Sequence, residues 1–455
     1  MHEQIRNAVA RFNSWDKEST VMIISHLDAD GISASAIMIG LMNNANRKYS
    51  ITILPQLDEK KILELKDSKE KYIIFSDLGS GQLREINDYL SDKEIIILDH
   101  HEPVDVVLGD NIVHVNPHLS GIDGSKEISG AGVSYLFAEA LDDKNQDLSY
   151  IAIIGAIGDI QEANGFGELN TRILNKAIER KKIKLELGLK FFGMQTRPLH
   201  KLLEYSSDPF IPGVSGSESG SIHFLNELGI DPKKGSGWKK MHDLSFDEKQ
   251  RLIAGVVMKR ISEGNPEEVL GNLYLLEGEK DGSPMRDLRE FATLLNACGR
   301  MNRASCGIGA CLGFEKDRSM ALQTLADYKK EIVNAINWYH GCSDIVKGDN
   351  YIIINARDEV LVTIIGTLAS IISKSKDTKP GTFIMSMARN KDGNTKVSLR
   401  MSKSDLVFDL RSIVKEITDD IGGEAGGHIH AAGAIIPVSL EDKFILKAKE
   451  VFSRK

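Results

Sequence analysis

Along the first 160 residues the apolar positions come in short unbroken runs instead of alternating with polar ones. Val21-Met22-Ile23-Ile24, Tyr72-Ile73-Ile74-Phe75 and Ile95-Ile96-Ile97-Leu98 each break off at a polar side chain within two residues. Runs of this kind are strands buried on both faces, as in a parallel sheet covered by helices. A further run, Ile151 to Gly158, reads equally well as a strand or a buried helix. Elsewhere the spacing switches to the helical period, at Glu3 to Phe12 with Ile5, Val9 and Phe12 on one face, at Ile32 to Met42, and at Val133 to Leu141. Residues 1–185 are therefore predicted to form one doubly wound α/β domain.

The pattern changes after that point. Residues 195–216 are rich in Pro, Ser and Gly and read as an ordered connection; helical periods then follow at 221–228, 245–263, 284–298 and 320–339. Residues 186–345 are accordingly predicted as a mostly helical insertion. From 346 to 455 an α/β pattern returns, with strands at 351–355 and 360–365, a helix at 366–374, a hairpin pairing 382–389 with 395–401, and a helix at 409–421. The fold class is α/β: a doubly wound parallel-sheet domain, a mostly helical insertion and a smaller α/β C-terminal domain.

Each apolar run of the first domain leads to side chains that can bind a metal. The first runs into His26-Leu27-Asp28-Ala29-Asp30-Gly31, the second into Asp77, the third into Asp99-His100-His101, and the run from Ile151 into Asp159. Ligands of open parallel sheets sit outside the carboxyl ends of the strands, so these groups are expected to converge. A single Asp after a strand is ordinarily a cap or turn residue, and a single His is ordinarily packed. Together they read differently, because two carboxylates two residues apart, met by an Asp-His-His triplet, repel without a cation between them. Oxygen and imidazole donors with no thiolate suit manganese or magnesium. The polar, glycine-rich stretch 114–132 is a long loop of the kind that carries function, and His118 within it is a candidate substrate contact. Arg300 and Arg303, three apart beside Gly299, are candidate phosphate contacts or a solvated pair.

These motifs resemble those of the DHH phosphoesterase superfamily, and within it the archaeal RecJ-like single-strand exonucleases of the GINS-associated type. SHLDADG at 25–31, Asp77, LDHHEP at 98–103 and GAIGD at 155–159 stand in the expected order. GGHIHAAG at 426–433 resembles the glycine-rich motif of the DHH-associated C-terminal domain, so the resemblance spans nearly the whole chain. It implies two divalent ions, manganese or magnesium, bridged by Asp77, with His26 and Asp28 on one and Asp30, His100 and Asp159 on the other. Asp99 would orient a ligand histidine from behind, and His101 would face the scissile phosphate or its leaving oxygen. His26 is the departure, since some branches carry an Asp there or a His four residues before Asp28. In the C-terminal domain the resemblance implies substrate contacts from Arg400 and Ser402 at a strand end, and from Gly426, Gly427 and His428.

The implied activity is exonucleolytic cleavage of single-stranded DNA or RNA to nucleoside monophosphates in DNA replication or repair, with GINS and the replicative helicase as candidate partners. Two alternatives stand beside it: a phosphodiesterase for nano-RNA or cyclic dinucleotides, and a non-catalytic replication scaffold binding GINS and the helicase. The net charge of −8 over 455 residues argues against a broadly basic nucleic-acid binder, although it leaves a local cleft open. Cysteines at 298, 306, 311 and 342 form no C-x-x-C pair and are too sparse for a disulfide framework; the glycines around the first three favour a turn over zinc. No apolar stretch is long enough for a membrane span and the first residues lack a signal-peptide core, so a cytoplasmic protein without a membrane partner is expected.

Overall fold

The buried runs pair into a parallel sheet. The computed structural model describes the chain apart from Ser207, Asp208, Lys376, Asp405, Val407 and the side chain of His428. In it β1 (Val21–His26), β2 (Tyr49–Leu54), β3 (Tyr72–Ser76), β4 (Glu94–Leu98) and β5 (Ile112–Val115) lie in the order β2-β1-β3-β4-β5, every pair parallel. The helices of this part are α1 (His2–Ser14), α2 (Ala29–Asn44), α3 (Glu59–Lys66), α4 (Leu83–Tyr89), α5 (Gly130–Leu141) and α6 (Ser149–Gly158). Successive side chains of a strand face opposite ways. Ile24, Ile73, Phe75, Ile95 and Ile97 therefore meet Ile62 and Leu65 of α3 and Leu83 and Ile86 of α4 in one core. Ile23, Ile74 and Ile96 are equally buried and face the side that α2 and α5 cover.

This strand order reverses direction between β1 and β3. The crevice outside the carboxyl ends of those two strands is the topological switch point, where doubly wound sheets bind ligands. His26 ends β1 and Asp77 follows β3. At Gly31, in the first turn of α2, a Cβ would stand 2.3 Å from the carbonyl oxygen of His26. Only glycine lets the helix start that close to its strand.

The apolar run 151–158 is the helix α6, whose residues are buried on almost every side against α2, α5 and α11 (Leu288–Arg300). Burial all round removes the amphipathic period that separates helix from strand. Residues 168–341 form α7 (Glu168–Glu179), β6 (Ile183–Leu189), α8 (Leu199–Glu204), α9 (Glu218–Glu227), β7 (Lys233–Lys234), β8 (Gly237–Trp238), α10 (Phe246–Lys259), β9 (Leu270–Leu276), α11, α12 (Ala304–Cys311) and α13 (Glu315–Gly341). Helices dominate as expected, but β6 and β9 pair antiparallel beside a core that includes Leu189, Leu203, Phe224, Leu252 and Leu273. The region of Gly307 and Gly309, expected to be a turn, is α12. A Cβ at Gly307 would come within 3.2 Å of Cys298 Cβ and of Ile32, so the glycine serves close helix packing instead. Cys298, Cys306 and Cys311 are buried free thiols.

The chain divides into two compact units, Met1–Thr324 and Leu325–Lys455. The second contains β10 (Val346–Lys347), β11 (Tyr351–Asn355), α14 (Ile365–Ser373), β12 (Phe383–Arg389), β13 (Asn394–Met401), α15 (Leu410–Ile421), β14 (Glu424–His428), β15 (Ala431–Pro437) and α16 (Glu441–Phe452). Its sheet runs β10-β11-β12-β13-β15-β14 over a core shared with α15 and α16. The strand expected at 360–365 is a turn leading into α14, because the Leu361 carbonyl accepts hydrogen bonds from both Ile364 N and Ile365 N. Among the described residues no helix is long and apolar enough to cross a membrane.

Candidate metal centre

The loops leaving β1, β3 and β4 and the end of α6 bring the motif residues together. Asp28 caps α2, one carboxylate oxygen accepting from Gly31 N at 3.0 Å and the other lying 2.9 Å from His26 Nδ1. Asp30, in the first turn of α2, accepts from Gly130 N at 2.7 Å and Ala131 N at 3.0 Å at the start of α5. A helix N-terminus is a natural seat for a carboxylate. Asp77 holds a left-handed backbone, φ 61°, a conformation that is uncommon outside glycine and clusters at functional sites. Asp159 follows α6 as its C-cap.

His100 stands among these carboxylates. Its Nε2 is 3.4 Å from Asp77 Oδ1, 3.4 Å from Asp159 Oδ2 and 3.7 Å from Asp30 Oδ2, while Asp77 Oδ2 lies 4.0 Å from His26 Nδ1. All of these separations are longer than good hydrogen bonds and fall between the roughly 3 Å of adjacent ligands and the roughly 4.2 Å of opposite ligands around an octahedral ion with 2.1 Å bonds. Both carboxylate oxygens of Asp77 and the Nε2 of His100 are buried with no hydrogen-bond partner among the described residues. Buried polar groups are almost always satisfied, so three unsatisfied ligand atoms in one crevice fit a cation. His26, Asp28 and Asp77 form one group of donor atoms close enough to share an ion, and Asp30, His100 and Asp159 form another.

Titration points the same way. Burial pushes the Asp77 carboxyl well above the usual carboxylate range, helped by the charges of Asp30, Asp28, Asp159 and Asp99. Asp159 is raised as well, by burial and then by Asp30. Burial opposes the charged form of His100, but Asp159, Asp30 and Asp99 outweigh it and lift the imidazole to about 9. Asp28 moves the other way: burial would raise it, and the adjacent His26 holds it low. Crowded carboxylates that resist ionising together are those a divalent ion relieves.

Behind the donors lies a second set of contacts. The ring nitrogen Nδ1 of His100 meets the Gly124 carbonyl at 2.9 Å, and that carbonyl also accepts from Gln161 Nε2 at 3.1 Å, itself held by Asn170. The resemblance implies that Asp99 backs a metal-binding histidine. It instead contacts His101 Nδ1 at 2.8 Å and accepts from Ser80 N and His100 N, so the ring it orients is that of His101. Ser80 Oγ in turn meets His114 Nε2, and Asn116 donates to Ser80 Oγ and to the His101 carbonyl. Burial drives His114 down to about 4, so it is neutral at ordinary pH. From the far side, Asn296 of α11 accepts from Ala29 N at 3.1 Å. A Cβ at Gly299 would fall 1.6 Å from Leu27 O. Ser80, Asn116, Gln161, Asn170 and Asn296 carry no sequence motif, and only the fold shows their place.

The expected substrate contacts belong to both units. His118 borders the centre, its Nε2 within 3.0 Å of where a Cβ on Gly124 would lie. Arg300 closes α11, and Arg303 directs a guanidinium nitrogen to Thr324 Oγ1 at 3.3 Å; neither belongs to the donor groups. In the second unit Arg400 is tied to Ser370 Oγ and to the Leu399 carbonyl. Ser402 is buried, its hydroxyl donating to Lys379 O and accepting from Thr382 N, so it braces a turn instead of facing a phosphate. Gly426 and Gly427 of β14, the edge strand, pair with Gly433 and Ala432 of β15. The backbone of His428 ends that strand; its side chain lies outside the described residues.

Three family models match the chain in order: the DHH family N-terminal domain over residues 20–158, the DHH-CID domain over 191–274 and the DHHA1 domain over 348–454. An uncharacterised protein of Methanocaldococcus jannaschii is 30% identical over 443 residues, 96% of this chain and 94% of its own length. The single-stranded-DNA-specific exonuclease RecJ of Bacillus subtilis is 26% identical over 197 residues, 41% of this chain and 24% of that protein. Among solved structures, RecJ of Thermus thermophilus in complex with Mn2+ superposes with a TM-score of 0.61 at 16% identity, covering 99% of this chain and 55% of RecJ. CDC45 of Entamoeba histolytica does so with 0.65 at 12% identity, covering 99% and 98%.

Proposed function

This chain belongs to the DHH superfamily, and on that footing we propose that it is a two-metal exonuclease hydrolysing single-stranded DNA or RNA to nucleoside monophosphates. The observation that carries the reading is the buried set of ligand atoms without partners, Asp77 Oδ1 and Oδ2 with His100 Nε2, flanked by two groups of donors. His26, Asp28 and Asp77 would hold one ion and Asp30, His100 and Asp159 the other, with Asp77 between them. Manganese or magnesium bound there would neutralise a phosphodiester and make water nucleophilic at neutral pH.

The chain's own groups do the rest. Gly124 O fixes the ring of His100, and the Gly130 and Ala131 amides fix Asp30. Asp99 holds His101 through Nδ1, and the ring so oriented would meet a phosphate or leaving oxygen. The 39% exposure of the His101 side chain supports that role, whereas the near-complete burial of Asp77 and Asp30 supports roles in ion binding. The sequence similarity to a single-stranded-DNA-specific exonuclease supports the substrate class.

A second reading is a replication scaffold, favoured by the CDC45-like fold over almost the full length of both chains. Both readings allow GINS and the helicase as partners, and a chain can serve in both ways. The deciding experiment follows products from DNA and RNA single strands labelled at either end, with manganese, against Asp77→Asn. Metal-dependent monophosphate release that the variant lacks is expected; no cleavage of these strands or of dinucleotides would leave the scaffold.

A further inference from the structure

Outside the metal centre, the connection between β6 and α8 holds a cation in an unusual setting. The Arg197 guanidinium carbon lies 5.2 Å from the ring centre of Phe192 and 5.2 Å from that of Tyr205. Both residues are substantially exposed, at 46% and 55%. The stem of the arginine rests on Gly193, where φ is 95° and a Cβ would come within 2.5 Å of Arg197 Cδ and 2.9 Å of its Nε. A backbone cradle and two ring faces thus fix the plane of the guanidinium. None of its N–H groups has an acceptor among the described residues, although five donors in a flat fork are suited to phosphate or carboxylate oxygens. Glu290, an acid whose charge acts on it, is already engaged by Gln195 N and Thr196 Oγ1 at 2.8 and 2.5 Å.

Those two bonds also set where the arginine stands. They pin residues 195 and 196 to α11, the helix whose Asn296 and Gly299 abut the loop that carries Asp28. Glu290 precedes Asn296 by six residues, about 9 Å along the helix axis at 1.5 Å per residue.

We infer that Arg197, clamped between Phe192 and Tyr205, is a binding site for the backbone of a single strand of nucleic acid, a few nucleotides away from the metal centre. The guanidinium takes a phosphate, and the exposed ring of Phe192 offers a stacking surface to a neighbouring base, while Lys201, 5.7 Å from the ring centre of Tyr205, adds a second cation beside it, a pairing used by sequence-tolerant single-strand binders. The substrate class rests on the proposed exonuclease reading, but the site does not need cleavage to be tested.

The test is equilibrium binding of fluorescein-labelled (dT)12 to the full chain in EDTA, read by anisotropy over a range of salt. Arg197→Ala is expected to weaken binding about tenfold and to reduce the salt slope by about 0.7, the share of one phosphate contact on a single strand. Arg197→Lys keeps the charge without the flat fork and is expected to recover less than half of that loss. Gly193→Ala retains the arginine but fills its cradle, and should weaken binding as well; thermal melting of each variant confirms the fold. Equal affinity of wild type and Arg197→Ala, or no binding by wild type, overturns the site. If wild type nonetheless degrades (dT)12 with manganese, the exonuclease reading survives alone. A tenfold loss in a chain that cleaves nothing keeps the site and removes the exonuclease. Displacement of (dT)12 from Arg197 by a poly-glutamate peptide of equal charge and at equal concentration would assign the site to an acidic protein and overturn the proposal.

Discussion

Asp77 at the carboxyl end of the central strand β3 and Glu441 at the start of α16 are both buried acids, and their pKa values shift in opposite directions. Glu441 accepts two parallel bonds from Arg389, at 3.0 and 2.8 Å, with further bonds from Asn355 and Thr395. Burial alone would raise its pKa; these partners outweigh burial and bring it down to about 2. Asp77 is raised, with no such partner for either oxygen among the described residues. Burial is common to both, so burial does not mark a functional carboxylate. The difference is whether the fold itself supplies the counter-charge and the hydrogen bonds. At Glu441 it does, and the acid is a structural clasp; at Asp77 it leaves them to something bound.

The largest expected effect tests the Asp77 side of that contrast. On the proposed assignment, Asp77→Asn should lower metal-dependent hydrolysis at least about 1,000-fold, because a carboxylate that would serve both ions would contribute several kcal/mol to the transition state. In EDTA at pH 8 the same variant should melt no lower than wild type, since it removes a charge that the metal-free fold resists. A lower melting temperature would mean that Asp77, like Glu441, is a structural acid. Next, manganese at 100 times its dissociation constant should stabilise wild type by about 2.7 kcal/mol, and the increment should largely vanish in Asp77→Asn.

Glu441→Gln should do the reverse, destabilising the second unit by about 2 kcal/mol in urea titrations through the loss of a charged partner for Arg389, with manganese binding untouched. The two acids also predict opposite pH trends. Glu441 has a lowered folded pKa, so its contribution is complete above its unfolded value near 4.5 and fades as pH falls towards about 2. Asp77 has a raised folded pKa, so its own contribution to the metal-free first unit should fall as pH rises above 3.8, seen as the difference between wild type and Asp77→Asn, a trend that manganese should flatten. Unit-specific melting across pH 3 to 8 would reveal both. The smallest effect falls on the brace behind Asp28: Asn296→Ala should cost about tenfold in activity or metal affinity, the usual scale for a contact that orients ligands.

How much of this is legible in the sequence follows from the range of each interaction. The strands that carry Asp77 and Asp99 end where an apolar run stops, a local signal that needs no partner. The edge strands β2 and β5 are harder to read, because half-exposed positions and a buried histidine, His114, break their patterns. Asp159 is legible as a ligand candidate while its helix is not, since α6 is apolar on almost every side. The contact of Asn296 with Ala29 N spans 267 residues, and nothing local to either end announces it. The partner of Asp99 escapes the sequence for a subtler reason. Two adjacent histidines present the same composition, and only the turn geometry decides that 101 faces the carboxylate while 100 faces a main-chain carbonyl.

The space between the donor side chains is itself defined by residues without side chains. A Cβ at Gly130 would stand 2.4 Å from Asp77 Oδ1, and one at Gly155 would stand 2.3 Å from Asp30 Oδ1. A homologous gene could therefore retain every aspartate and histidine of the motifs and still encode a protein that cannot load metal, through alanine at either glycine. Sorting such genomes into nucleases and silent relatives by their charged signatures alone would miscount them; positions 130 and 155 belong in the signature.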